Sequence, residues 1–338
     1  MHADSRLMKK INQKMLREIL QKYQSMTKPK LAAATGLSVV TVNTLIKELM
    51  RRQEVIEDGV IPSEGGRPSK QYRYNYEFCY AAVVYSYQKQ EGNFFACLVL
   101  DLSGKRVWRK EQYGKEIKIE SFIGILDEAF QDYPKIRMLI FGLPGEAIGK
   151  TVTLSDYKKL VGKAFFSYYE GRYGVPVIFE NDINAMVYGY FSSVCQGKKD
   201  GVVGLYFPRK YPPGAGIIVN GQIYCGTDHF AGELEKLPVP IPWDKLNYED
   251  DDEVLRELKY TIKIFCYTLA PAKFILYGDF FRSTLIGKMQ EFAKEFSKDN
   301  FKIEIKVTDQ MEKDYEEGLI RLVLSSLKIQ IDDLEELR

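Results

Sequence analysis

From residue 10 to residue 52 the apolar positions recur at helical spacing with polar positions opposite them. Ile11, Met15, Leu16, Ile19, Leu20 and Tyr23 form one stripe, which predicts an amphipathic helix over 10–24. Thr27 is a good helix cap and Pro29 is tolerated in a first turn, so a short helix carrying Leu31, Ala32, Ala33 and Ala34 should follow. Gly36 suits the left-handed position of a tight turn. Ser38 then caps a third helix, roughly 39–52, that buries Val42, Leu45, Ile46 and Leu49. Its free face holds Val39, Val40, Thr41, Asn43, Thr44 and Lys47. The stretches Val55-Ile56, Val60-Ile61 and Gln71–Tyr74 read as short strands flanking PSEGGRPSK, residues 62–70.

Helix, short helix, turn and capped helix match a helix-turn-helix, and they also match a plain three-helix packing unit. In the first reading the third helix enters a DNA major groove, with Ser38, Val39, Val40, Thr41, Asn43, Thr44 and Lys47 as the candidate contacts. The strand pair after it is then a wing, in which Gly65 and Gly66 flatten the backbone and Arg67 reaches a minor groove. The same strip also reads as a solvated linker. Charge favours DNA: residues 1–76 hold 14 Lys/Arg against 7 Asp/Glu, a net of +7, while the rest holds 34 against 39, a net of −5. The basic character therefore sits in the first quarter and predicts a polyanionic partner there.

From residue 80 the period changes to that of strands. Segments 81–87, 94–102 and 105–113 form a meander, followed by a helix over 119–133, a strand over 136–142, a strand over 175–181 and a helix from about 182. Strands over 201–207 and 215–224 restart the meander, and a strand over 272–278, a helix near 281–296, a strand over 302–307 and a helix near 314–328 complete it. The second half repeats the order of the first, which predicts an α/β body of two similar lobes with a cleft between them. The 338 residues are enough for two or three domains. Five scattered cysteines and two histidines argue for reduced thiols and against a zinc site. No apolar run approaches the length of a membrane span and the first residues lack an apolar core, so a cytoplasmic location with no membrane partner is expected.

The strings TGLSVVTVNTLIKEL, EGGRPSKQYRYN, FGLPGEAI, VPVIFENDINAMVYG, GAGIIVNGQIYCG with the AGEL after it, and FILYGD run in one order along almost the whole chain. In that order they resemble the ROK family (repressors, open reading frames and kinases), specifically its repressor branch. The resemblance implies an N-terminal winged helix-turn-helix over 1–78, joined to a two-lobed actin/hexokinase-like (ribonuclease H-like) sugar-kinase-type domain. The lobes would span 79–186 and 187–308, with a C-terminal helix (309–338) packing back on the first. It also implies that Asn181, Asp182 and Glu233 hold sugar hydroxyls and that Gly142, Pro144 and Gly145 line the sugar. Read without the resemblance, Glu180-Asn181-Asp182 is also a plain helix cap.

Departures from the family pattern shape the expected function. The first phosphate loop reads Tyr85-Ser86-Tyr87-Gln88, the second carries Pro208, Pro212 and Pro213, and the adenosine-side glycine pair is reduced to Tyr277-Gly278-Asp279. Backbone donors and space for ATP phosphates are lost at three places. Lys236 stands where the family has a zinc-ligand His, so neither a metal nor a cofactor is expected. Lys236 reads either as an attractor of an acidic sugar or as a solvated lysine. The expectation is a non-enzymatic, sugar-responsive DNA-binding regulator, a repressor acting on a double-stranded operator as a dimer or tetramer. A sugar kinase with an appended helical domain, and a regulator whose lobes serve only dimerisation, are the alternatives.

Overall fold

The computed structural model describes residues 2–63, 66–89, 92–195, 201–208 and 211–333. Gly65, the side chain of Arg67 and residues 334–338 of the expected C-terminal helix lie outside the described part.

The chain opens with α1 (His2–Tyr23), β1 (Ser25–Thr27), α2 (Lys28–Thr35) and α3 (Val39–Arg51), then β2 (Val55–Ser63) and β3 (Gly66–Tyr74). The Thr27 hydroxyl caps α2 by accepting from the Lys30 N–H, and the Ser38 hydroxyl caps α3 by accepting from the Thr41 N–H at 3.1 Å. Between them Gly36 has φ +71°, a value that a β-carbon disfavours. The two helices cross the turn at 112°. Val42, Leu45, Ile46 and Leu49 are buried in one core with Leu16, Leu20 and Leu31. The stripe on α1 is narrower than its apolar positions predict. Ile11 and Tyr23 are 45% and 53% exposed, because Gln13 and Arg17 take inward positions and bond Glu48 and Glu54. β3 lies between β1 and β2 in an antiparallel sheet.

The body contains two sheets of the same plan. The first is built from β4 (Tyr80–Lys89), β5 (Gly92–Leu100), β6 (Arg106–Gly114), β7 (Ile136–Leu143) and β10 (Val177–Asn181), in the order β10-β7-β4-β5-β6. The second is built from β11 (Val202–Tyr206), β12 (Gly214–Val219), β13 (Gln222–Ile223), β14 (Lys273–Tyr277) and β15 (Glu304–Thr308), in the order β13-β12-β11-β14-β15. In each, the first three strands form an antiparallel meander and the last two add parallel to the first. The helix expected over 119–133 is a single 3-10 turn, Ile119–Phe122, continued by α4 (Ile123–Asp132). Three elements go beyond the sequence expectation: the hairpin β8 (Gly145–Ile148) and β9 (Thr151–Ser155), α5 (Phe165–Tyr173), and most of α7 (Asp251–Leu269). The acidic residues Glu249–Glu253 lead into and open α7, with the Asp250 carboxylate accepting from the Asp252 and Glu253 N–H groups.

Two helices tie the sheets together. α6 (Asp182–Val194) leaves the first sheet, packs on β11 and β12 of the second, and runs unbroken through residue 186. α8 (Ser283–Asp299) covers the second sheet, and α9 (Met311–Asp333) returns from it to pack on β4 and β7 of the first. α6 and α9 meet backbone to backbone. A β-carbon on Gly189 would overlap the Asp314 carbonyl oxygen, and one on Gly318 would overlap the carbonyl of Ala185. The far end of α9 reaches the N-terminal unit. Ile320, Val323, Leu327 and Ile331 share one core with Leu16, Leu20 and Val42, and Arg17 pairs with Asp332 at 3.0 Å. No single helix among the described residues is long and apolar enough to cross a membrane.

Candidate functional site

Two places hold the residues singled out above: the free face of α3 and the cleft between the sheets. On α3, Val39 and Val40 are 50% and 77% exposed, and Thr44 and Lys47 are also exposed. Several polar atoms there are already engaged. The Ser38 hydroxyl bonds the Thr41 hydroxyl as well as capping the helix, the Thr44 hydroxyl donates to the Val40 carbonyl, and Lys28 Nζ donates to Asn43 Oδ1 at 2.6 Å. What this face offers outward is therefore methyl groups, the Asn43 amide N–H pair and the Lys47 ammonium. Part of the local charge is consumed too: Lys9 pairs with Glu48, Lys70 with Glu57 and Arg73 with Asp58.

The cleft lies where the β7–β8 junction and the start of α6 face the segment after β13. Asn181 caps α6, its Oδ1 accepting from the Ile183 and Asn184 N–H groups while its Nδ2 donates to the Gly145 carbonyl. That leaves one amide hydrogen for a ligand. The Pro144 carbonyl accepts from Ser155 Oγ at 2.6 Å, and Gly145 sits at φ +134° against Leu154 and Ser155. The missing side chain of Gly142 makes room for Tyr315 and Leu319 of α9, so its place is under that helix and not on the ligand wall. Asp182 is 8% exposed, with Oδ1 accepting from the Ile183 N–H. Glu233 stands opposite on the second lobe and is close enough to raise the Asp182 pKa.

The structure gathers three carboxylates here that the motif reading did not select: Glu146, Asp156 and Glu180. Burial is the main cause of every shift in the group, and repulsion from other members adds to it at Glu146, Asp156 and Asp182. Glu146 is pushed up to about 8 by burial and by Glu180, Glu233 and Asp182. Asp182 is pushed up to about 7 by burial and by Asp156, against its backbone hydrogen bonds. Burial also lifts Glu180 to about 7 and Asp156 to about 6, and it raises Glu233. The signal for Glu146 and Asp156 was the β8–β9 hairpin, whose two ends bring them to the cleft. His229 Nδ1 lies 3.4 Å from Glu146 Oε2. Among the described residues no group of three or more His, Cys, Asp or Glu side chains converges as a metal site.

A pH dependence of stability follows. Acids whose native pKa exceeds the unfolded value bind more protons when folded, so stability is full below the unfolded pKa and falls as pH rises toward the native one. For Glu146 that window runs from 4.5 to about 8. The melting temperature should decline across it, and Glu146→Gln should flatten the decline in scanning calorimetry. An unchanged slope in the variant would place the pH effect elsewhere.

Two of the three places that depart from the family's phosphate and adenosine contacts are filled by side chains. Tyr85 and Tyr87 are buried beside α9, with the Tyr85 hydroxyl donating to Glu316 at 2.8 Å, and Ser86 Oγ is bonded to Tyr157 OH and the Phe94 carbonyl. Gly278 is enclosed by Phe207, Phe280 and Phe281. Lys236 is 60% exposed and pairs with Glu235 at 3.1 Å, the solvated arrangement.

Two lobes of one strand order, joined by crossing helices over a polar cleft, define the actin/hexokinase-like class of sugar-kinase-type folds. Residues 94–242 match the ROK family model. It is 26% identical over 249 residues to the xylose repressor of Bacillus subtilis, an alignment covering 70% of this chain and 62% of the repressor. It is 28% identical over 126 residues to an N-acetyl-D-glucosamine kinase of Photobacterium profundum, covering 36% of this chain and 41% of the kinase. The chain thus spans less than two thirds of the length of the xylose repressors it matches. Among solved structures, a ROK family transcriptional regulator described as a homolog of the E. coli MLC protein superposes with a TM-score of 0.62 at 16% identity, over 94% of this chain and 99% of that one. The ROK hexokinase of Thermus thermophilus superposes with a TM-score of 0.58 at 16% identity, over 73% of this chain and 99% of that one. At such identities the likeness is one of fold.

Proposed function

We propose that this chain is a DNA-binding transcriptional regulator, a repressor, that answers to a sugar or sugar derivative in the cleft and performs no phosphoryl transfer. Residues 1–78 would read DNA as a winged helix-turn-helix, and the lobes, 79–186 with the C-terminal helix and 187–308, would hold the effector. The observation that carries the reading is the outward face of α3, capped, set at 112° to α2 and presenting Val39, Val40 and Lys47. Such a helix fits a major groove, where methyl groups meet thymine and an ammonium meets phosphate. The xylose repressor relatives support the same reading. Asp182 is present, but aromatic side chains occupy two of the places where phosphate and adenosine contacts would form, at Tyr85–Tyr87 and around Gly278, and prolines stand in the third. That favours a binding role over catalysis.

The cleft and the reading unit are mechanically linked. α6 starts at Asp182, packs on α9 without clearance, and the last turn of α9 sets Asp332 on Arg17 of α1. A ligand that shifts the start of α6 must therefore shift the seat of the reading unit, and with it the spacing of two units in a dimer.

The test is a salt-titrated binding assay on DNA from the gene's own upstream region, with and without a sugar panel. Affinity should fall steeply with salt, and Lys47→Ala should reduce the slope of log affinity against log salt by about 1. Binding that ignores salt and the variant would remove α3 from the interface. Sugar-dependent ADP release abolished by Asp182→Asn would establish the kinase alternative instead.

A further inference from the structure

On the outward face of α3 the Asn43 amide has one fixed orientation. Asn43 lies one helical turn from Val40 on one side and from Lys47 on the other, so it stands among the residues that α3 turns outward. Lys28 Nζ lies 2.6 Å from Asn43 Oδ1. An ammonium has donors and no acceptor, so only the carbonyl end of the amide can face it. The other end, Nδ2 with its two hydrogens, has no partner among the described residues. Lys28 is itself held in place. It is the first residue of α2, set between the Thr27 cap, whose hydroxyl accepts from the Lys30 N–H at 3.4 Å, and Pro29, which fixes the next φ. Its ammonium also lies over the Tyr72 ring, 5.0 Å from the centroid. Tyr72 is buried on β3, the central strand of its sheet, where it pairs with Met26 of β1 and Glu57 of β2. A line of contacts thus runs from the sheet through the start of α2 to the amide of Asn43.

We propose that Lys28 is a positioning residue that makes Asn43 a donor-only reader, and that Asn43 therefore selects guanine over adenine at its place in the operator. The proposal rests on the reading of α3 as the helix that enters the major groove. An asparagine that pairs with adenine donates to N7 from its amide nitrogen and accepts from the N6 amino group with its amide oxygen. Here that oxygen is engaged by Lys28. Its second lone pair remains, but a donor arriving there meets a positive charge at hydrogen-bond distance, which counts against adenine. Guanine presents O6 and N7 as neighbouring acceptors, and the free N–H pair of Asn43 suits both. Thymine offers the single acceptor O4, so the A·T pair has no edge that matches as well.

The experiment is selection of binding sites from random duplexes by the full chain, run with the parent, Asn43→Ala, Lys28→Met and Lys28→Arg. The base pair whose preference Asn43→Ala erases is the one that Asn43 reads. There the parent should favour G·C over A·T by about tenfold. Lys28→Met keeps an apolar stem beside Tyr72 and frees the amide to turn, so the preference should move to A·T. Lys28→Arg still only donates, and it should keep G·C. Removing a charge also weakens binding to every sequence alike where that charge touches phosphate, so the readout is the ratio between the two base pairs and not the affinity. A merely structural role for Lys28 would leave that ratio unmoved. An A·T preference in the parent overturns the proposal. So does a G·C preference that survives Lys28→Met, and so does an Asn43→Ala variant that changes no position. Each of these results leaves the regulator reading standing. If the parent enriches no sequence at all, the reading of α3 as a recognition helix falls with the proposal.

Discussion

Gly318→Ala is expected to destabilise this protein by about 3 kcal/mol, the upper end of what overpacking costs. A β-carbon at residue 318 would overlap the Ala185 carbonyl oxygen, lie 2.7 Å from the carbonyl carbon and lie 3.1 Å from the Gly189 N. These obstacles are backbone atoms of α6, so no rotamer change relieves the contact. Gly189 makes the reciprocal approach, with Gly318 N at 2.7 Å from its would-be β-carbon. α6 in turn lies on the second sheet over Gly204 and Gly216, whose own β-carbons would strike Val187 and Ile183, so it cannot retreat that way. The interface must open, and the lobes with it. Urea unfolding should show a lower midpoint at an unchanged slope, the sign of lost stability without a change in the surface exposed. A midpoint equal to that of the parent would mean that α6 and α9 slide freely, and the proposed link from cleft to reading unit would have no mechanical basis.

Much of this architecture was legible in the sequence because it is written in periodicity and punctuation. The caps Thr27 and Ser38, the turn at Gly36 and the four buried residues of α3 follow from local rules and occur where those rules put them. The repeated strand order showed through because each meander is apolar and bounded by turn residues. What stayed hidden depends on distant contacts. β1 has three residues, too few for any period, and exists because β3 offers it an edge. Arg17 reads as the polar side of a helix, and its burial follows from distant partners such as Glu54 and Asp332. Asn181 and Asp182 were visible as a motif, but the division between them was not. The first is largely spent on capping α6 and holding Gly145, while the second keeps a carboxylate oxygen for the cleft. Glu146 and Asp156 became site residues only when a hairpin without strong strand signals carried each of them to the cleft.

Arg17→Leu is expected to cost about 3–5 kcal/mol, the range for removing one partner of a buried ion pair. The side chains of Arg17 and Glu54 are 6% and 5% exposed and lie 2.7 Å apart. Without Arg17, Glu54 is left with the more exposed Arg52, at 3.7 Å, as its ion-pair partner among the described residues. The loss therefore comes mainly from a carboxylate left buried with poor company, which makes a specific result expected of the double variant. Arg17→Leu with Glu54→Leu should recover most of the stability, because two apolar side chains of similar reach satisfy the same space. The double variant also separates stability from coupling. It removes the nearer of two α1 charges that seat Asp332 of α9, leaving Lys14 at 3.8 Å, so a protein that folds and still binds DNA should show a weakened response of that binding to the cleft ligand. Asp332→Asn, at a partner 32% exposed, should weaken the same response with a much smaller change in melting temperature. Full ligand response in both variants would show that the signal leaves the cleft by another route, through closure of the lobes alone and not along α9.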